Sequence, residues 1–143
     1  MGDLELAKER LRGGALAFAI AKQGVVLKTG TREGVGELLE ALDELGDAAR
    51  GASLADKVVG KAVAMVARLH KMSAVYSPLA SEAAQSALDI DHIPLEFDNL
   101  VPLILNKRGD GPCPMERLTL SYDDPGLAVT ALRDFVHTRA QAA

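Results

Sequence analysis

The sequence predicts a three-layer α/β domain, a central mixed sheet with helices on both faces, and three observations carry that expectation. Short β-type runs at residues 15–20, 25–28, 73–77 and 93–97 alternate with helix-periodic stretches, as helices packed on a sheet require. The first two runs are separated only by Lys22-Gln23-Gly24 and read as a hairpin, which excludes a wholly parallel sheet. The 143 residues are enough for one packed core and too few for two, so a single domain over 1–143 is expected.

In chain order, residues 4–12 form a short helix that stops at Gly13-Gly14. The hairpin follows, and Thr29-Gly30 closes its second strand. Apolar residues at 35, 38, 39, 42 and 45 recur at helical spacing and predict a helix lying on the sheet. The most strongly patterned helix spans 54–69: Val58, Val59, Ala62, Val63, Met65, Val66 and Leu69 share one arc at about 100° per residue, with Lys57, Lys61 and Arg68 opposite. Ser53 is positioned to cap its first turn, and Asp56 to reach back toward the cap.

Val75 and Tyr76 suit a strand over 73–77, after which a turn at 77–81 feeds a helix over 82–88 capped by Ser81. Beyond the strand at 93–97, Asp98 is expected to cap a helix over 99–105, where Pro102 is tolerated near the first turn. Leu118, Leu120 and Tyr122 alternate with Arg117, Thr119 and Ser121, which predicts a last strand. Asp123-Asp124-Pro125 then opens a terminal helix that packs Leu127, Ala131, Leu132, Phe135 and Val136 on the sheet.

Composition narrows the function classes. Sixteen basic against twenty acidic side chains give a net charge of -4, the wrong sign for a nucleic-acid footprint, and 3% aromatics with no tryptophan leave little to stack on bases. The single cysteine precludes an internal disulfide, and no apolar run reaches membrane-spanning length. Met1 is followed by acidic residues rather than a basic leader, so a cytoplasmic protein is expected, with neither nucleic acid nor membrane as partner. Alanine-rich helices with charged surfaces leave room for a homodimer.

The chemically unusual part of the chain is Cys113-Pro114-Met115-Glu116, preceded by Asn106-Lys107-Arg108-Gly109-Asp110-Gly111-Pro112. If Pro114 opens a helical turn, Cys113 becomes its cap and Glu116 its third residue, where backbone donors favour a thiolate. The same pattern suits a purely structural turn, an inert thiol and a carboxylate engaged in capping or ion pairing. Asn106, Lys107 and Arg108 read as exposed loop residues or as donors to a phosphate or carboxylate. Lys57 and Lys61 read as a solvated helix face or as anion contacts near a helix start. Asp56 reads equally as a cap and as a ligand or catalytic group; Ser81 reads as a cap or a ligand contact. Gly60 permits close backbone approach or merely weakens a helix.

Ala55-Asp56-Lys57-Val58-Val59-Gly60-Lys61-Ala62, then Val75-Tyr76 and Ser81-Glu82, then Cys113-Pro114-Met115-Glu116, together resemble a small bacterial family of unknown function, the DUF1893-like family. The resemblance runs from the hairpin to the last helix and implies a cytidine-deaminase-like sandwich. Zinc deaminases of that superfamily place a histidine or cysteine two residues before a glutamate at one helix start and Pro-Cys-x-x-Cys at the next. Here those positions read Ala55-Asp56-Lys57 and Pro78-Leu79-Ala80-Ser81, without thiolate or imidazole, and His70, His92 and His137 are widely separated. No metal and no cofactor are therefore expected, and the resemblance does not imply deamination.

The leading expectation is a module that binds a small anionic or nucleotide-like metabolite through Lys57, Lys61, Ser81, Asn106, Lys107 and Arg108. Two alternatives stand beside it: a metal-independent enzyme using Cys113, Glu116 or Asp56, and a homo-oligomeric structural or interaction protein. No histidine lies near Cys113 in sequence to activate it as a nucleophile.

Overall fold

The computed structural model describes residues 2–142, with side-chain surroundings defined as far as residue 139. Helix α1 (Asp3–Arg12) leads into the hairpin β1 (Phe18–Lys22) and β2 (Val25–Gly30). Its turn has positive φ at both Gln23 (52°) and Gly24 (78°), the conformation whose twist matches a two-residue hairpin. Both turn amides donate to the Asp3 carboxylate at 2.9 Å, so the first turn of α1 secures the hairpin. Helix α2 (Gly36–Leu45) and a single 3₁₀ turn (Gly46–Ala49) follow.

The central part runs β3 (Ser53–Asp56), β4 (Val58–Val59), α3 (Lys61–Leu69), β5 (Ala74–Ser81), α4 (Glu82–Ile90) and β6 (Leu95–Val101). The chain ends with α5 (Pro114–Thr119) and α6 (Pro125–Ala142). β1 pairs antiparallel with both β2 and β3. β3 and β4 lie in tandem along one edge of β5, both parallel to it, and β6 pairs parallel on its other edge. The sheet is mixed, as the hairpin requires.

Period-two alternation divides the core. Phe18 and Ile20 of β1, Leu54 of β3 and Val75 of β5 point to the face covered by α2, α3, α4 and α6, where they pack with Leu38, Leu42, Met65, Val66, Leu88 and Leu132. Ala19, Ala21, Ala55 and Tyr76 point the other way, onto Ala7 and Leu11 of α1. The small alanine side chains let α1 sit close to the sheet. A polar clasp rims this second layer: Lys8 pairs with Glu96, Tyr76 donates to Asp98 at 2.6 Å, and Arg12 donates to the Tyr76 hydroxyl at 3.2 Å.

Four expected elements differ. The segment expected to be helical from residue 54 begins as a strand, and α3 starts only at Lys61. Ser53–Asp56 is buried at every position between β1 and β5, and a strand buried on both faces carries no alternation to betray it. Ser53 therefore caps nothing; its hydroxyl lies 3.4 Å from that of Ser73. The helix expected over 99–105 is absent: β6 runs on through Val101, and Asp98 accepts from Tyr76 instead of capping.

The strand expected over 117–122 is replaced by α5, whose buried side chains are Glu116 and Thr119, three residues apart. Finally, β5 extends through the expected turn at 77–81. Pro78 is tolerated there because the neighbouring strand is interrupted beside it: β3 pairing ends at Tyr76 and β4 pairing begins at Leu79.

Candidate functional site at the carboxyl end of the parallel strands

β4, β5 and β6 finish nearly level, with Val59 beside Ala80 and Ala80 beside Leu100. α3 and α4 start immediately after β4 and β5, so two helix N-termini emerge side by side at this end. N-termini present unpaired N–H groups and partial positive charge, and this end of an α/β sheet is where ligands bind.

The side chain that meets these donors is Glu116, 1% exposed. Its Oε1 accepts from the Lys61 amide at 2.6 Å, the first residue of α3, and from the Ser81 hydroxyl at 3.2 Å. Its Oε2 accepts from the Ile104 amide at 2.6 Å. Ser81 caps α4 by accepting from the Ala84 amide at 3.1 Å, so one hydroxyl joins the α4 cap to the carboxylate. Gly60 forms the wall of this cradle: a Cβ there would stand 3.0 Å from Oε1 and 3.2 Å from both Cδ and Oε2.

Sequence spacing placed Cys113 as the α5 cap and Glu116 at its third position, and both stand there, with Pro114 as the first helical residue. The partners differ from a local cap, because the Glu116 carboxylate serves α3, α4 and the Ile104 backbone. Cys113 is half-buried, its thiol makes no capping bond, and its amide donates to the Ile104 carbonyl at 2.8 Å. Both oxygens of Glu116 are committed to protein donors, which describes a positioning group rather than an acid or base facing a substrate.

Asp56 ends β3 opposite Phe18, where β1 begins, so it stands in the notch where the hairpin stops and β5 continues. The residue is 8% exposed, and Oδ1 accepts from the Val58 amide at 3.2 Å. Burial pushes its carboxyl up to about 7, the Val58 bond opposes this, and the nearby charge of Glu33, on the loop leaving β2, adds to it. That loop also meets α5, since a Cβ at Gly34 would lie 3.6 Å from the Met115 methyl. Lys57 is exposed beside Asp56.

Other expected site residues lie apart or are engaged. Lys61 contributes its amide to Glu116, while its ammonium donates to the Leu120 carbonyl at 3.3 Å. Asn106 closes its own turn: Oδ1 accepts from the Gly109 amide at 2.8 Å and Nδ2 donates to Asp110 at 2.9 Å. Lys107 and Arg108 are exposed at the tip of that turn. Glu33 and Ile104 were absent from the expected set; Ile104 acts through its amide, which leaves no signature in side-chain chemistry.

One depression among the described residues, about 520 Å³, is lined by residues that include Leu6, Glu9, Arg10, Gly13, Leu16 and Thr29 and contains none of the expected site residues. A smaller groove of about 230 Å³ between α3 and α4 includes Lys61, Arg68 and Tyr122. Among the described residues, no three histidine, cysteine, aspartate or glutamate side chains are grouped to hold a metal ion. No described helix is long and apolar enough to cross a membrane.

A family model described as TM1506, domain of unknown function (DUF1893), matches residues 6–136. The chain belongs to the DUF1893 family. Among solved structures it is similar to a DUF1893 family protein (TM1506) from Thermotoga maritima, with 23% identity, a TM-score of 0.83, and coverage of 92% of this chain and 88% of that one. At that identity the likeness is one of fold. No functionally curated protein matches the chain. The DUF1893 match takes in every residue of the cradle, from Gly60 and Lys61 to Ser81, Ile104 and Glu116.

Proposed function

We propose that this chain binds a small anionic, nucleotide-like metabolite in the notch at Asp56, without metal-dependent chemistry. The observation that carries the reading is Asp56 itself, a carboxyl group that burial holds near a pKa of about 7 at an edge suited to ligands. A neutral carboxylic acid offers one donor and one acceptor, the complement of the lactam or amidine edge of a nucleobase. Exposed Lys57 supplies the opposite charge for a phosphate. The order β4–α3–β5–α4–β6, with two helix starts at one end, supports reading the fold as cytidine-deaminase-like. The single cysteine supports a cytoplasmic setting for this binding.

Nucleosides, nucleoside 5′-monophosphates and inorganic phosphate, titrated separately by calorimetry at pH 6 and pH 8, test the reading. Saturable binding of a monophosphate is expected, tighter at pH 6 where Asp56 is protonated, weakened roughly tenfold or more by Asp56→Ala through loss of a buried partner. Lys57→Ala is expected to weaken the monophosphate and leave the nucleoside unaffected. Absence of saturable binding to the folded protein across the panel defeats the proposal.

A further inference from the structure

We infer that the junction of the α3 and α4 N-termini is an anion receptor whose resident ligand is the chain's own Glu116, which thereby latches residues 102–120 over the carboxyl end of the sheet. The receptor is built on both sides. Its donors are the Lys61 amide (2.6 Å), the Ser81 hydroxyl (3.2 Å) and, from the latched segment itself, the Ile104 amide (2.6 Å). Its wall is the bare Gly60 backbone, where a Cβ would come within 3.0 to 3.2 Å of three carboxylate atoms.

α3 and α4 are each nine residues long, so two helix dipoles converge on one buried group. The positions accept an anion and reject a donor. A carboxylate is acceptor-only, whereas an amide in the same place turns an N–H toward one of the backbone donors. Lys61 reinforces the latch from outside, its ammonium bonding the Leu120 carbonyl just past α5 at 3.3 Å.

The latch has a functional consequence independent of what binds at Asp56. The strongest anion site at this end of the sheet is filled from within, so an incoming ligand must find its charge partner at the rim.

Vacating the cradle tests the inference, because a free carboxylate of the right size should restore what Glu116→Ala removes. A fall in Tm of roughly 10 °C or more is expected for Glu116→Ala, and formate or acetate should recover about 5 °C at ten times its dissociation constant. Acetamide, neutral and close in shape, and sodium chloride at equal ionic strength should recover nothing, and the intact chain should not respond to formate. Equal recovery with acetamide, or none with formate, overturns the inference. If Glu116→Ala does not fold, Glu116→Gln decides: a loss of Tm comparable to a missing buried bond supports the anion receptor, and stability equal to that of the unaltered chain sinks it.

Discussion

Glycine at position 60 is the residue-scale choice on which the cradle depends. Its φ of -95° and ψ of -174° are open to any residue, so glycine is not required there for backbone reasons. What requires it is the carboxylate: an added methyl meets Glu116 oxygens held by three hydrogen bonds, two of them at 2.6 Å, and unable to retreat without breaking one. Gly60→Ala is therefore expected to cost about 1–3 kcal/mol through overpacking, read as a lower urea midpoint at unchanged slope. Paired with Glu116→Ala, which removes the obstructing atoms, the same change should cost far less. Full additivity of the two would show that the crowding lies elsewhere. In the sequence Gly60 read either as a point of close backbone approach or as a weakened helix, and its visitor, 56 positions downstream, carried no local signature to decide between them.

Several elements read from the sequence carry a one-sided apolar pattern or a clear turn. The hairpin, α2, α4 with its Ser81 cap and α6 each show one apolar face or a clear turn, and each is present. Those misread were set by long-range pairing. Leu54 and Ala55 fit a helix wheel as well as a strand, and only docking between β1 and β5 decides. Likewise Leu118, Leu120 and Tyr122 alternate by coincidence, since α5 is fixed by burial of Glu116 and Thr119 and leaves Leu120 41% exposed. Ser81 was legible as a cap but not as a link. Ser81→Ala is expected to cost about 1–2 kcal/mol for the cap alone, and a double-mutant cycle with Glu116→Ala should reveal coupling of at least about 0.5 kcal/mol. A coupling of zero would mean that the hydroxyl serves α4 only.

At the scale of the whole molecule, folding couples buried Asp56 and half-buried His70 to pH in opposite directions. Burial raises Asp56 from 3.8 to about 7, so the folded state binds more protons than the unfolded chain between those values. Its contribution is fully present below the unfolded pKa and is lost as pH rises through about 7. His70 moves the other way. Its Nε2 is buried without a hydrogen-bond partner, and burial lowers its pKa from 6.5 despite the nearby Asp43, so its contribution is present above 6.5 and lost as pH falls below it. Asp3, Glu37 and Asp43, all lowered by their hydrogen bonds, lose their contributions only in more acidic solution. Between pH 5 and 7 Asp56 contributes a slope on the order of 1 kcal/mol per pH unit, and His70 opposes it below 6.5. Urea midpoints of the intact chain should thus fall from pH 5 to pH 7 relative to those of Asp56→Asn, which keeps the shape, removes the proton and leaves only the opposite trend from His70. If Asp56→Asn follows the intact chain at every pH, Asp56 is ionised in the folded protein throughout this range and the neutral carboxyl group required for binding at the notch does not exist.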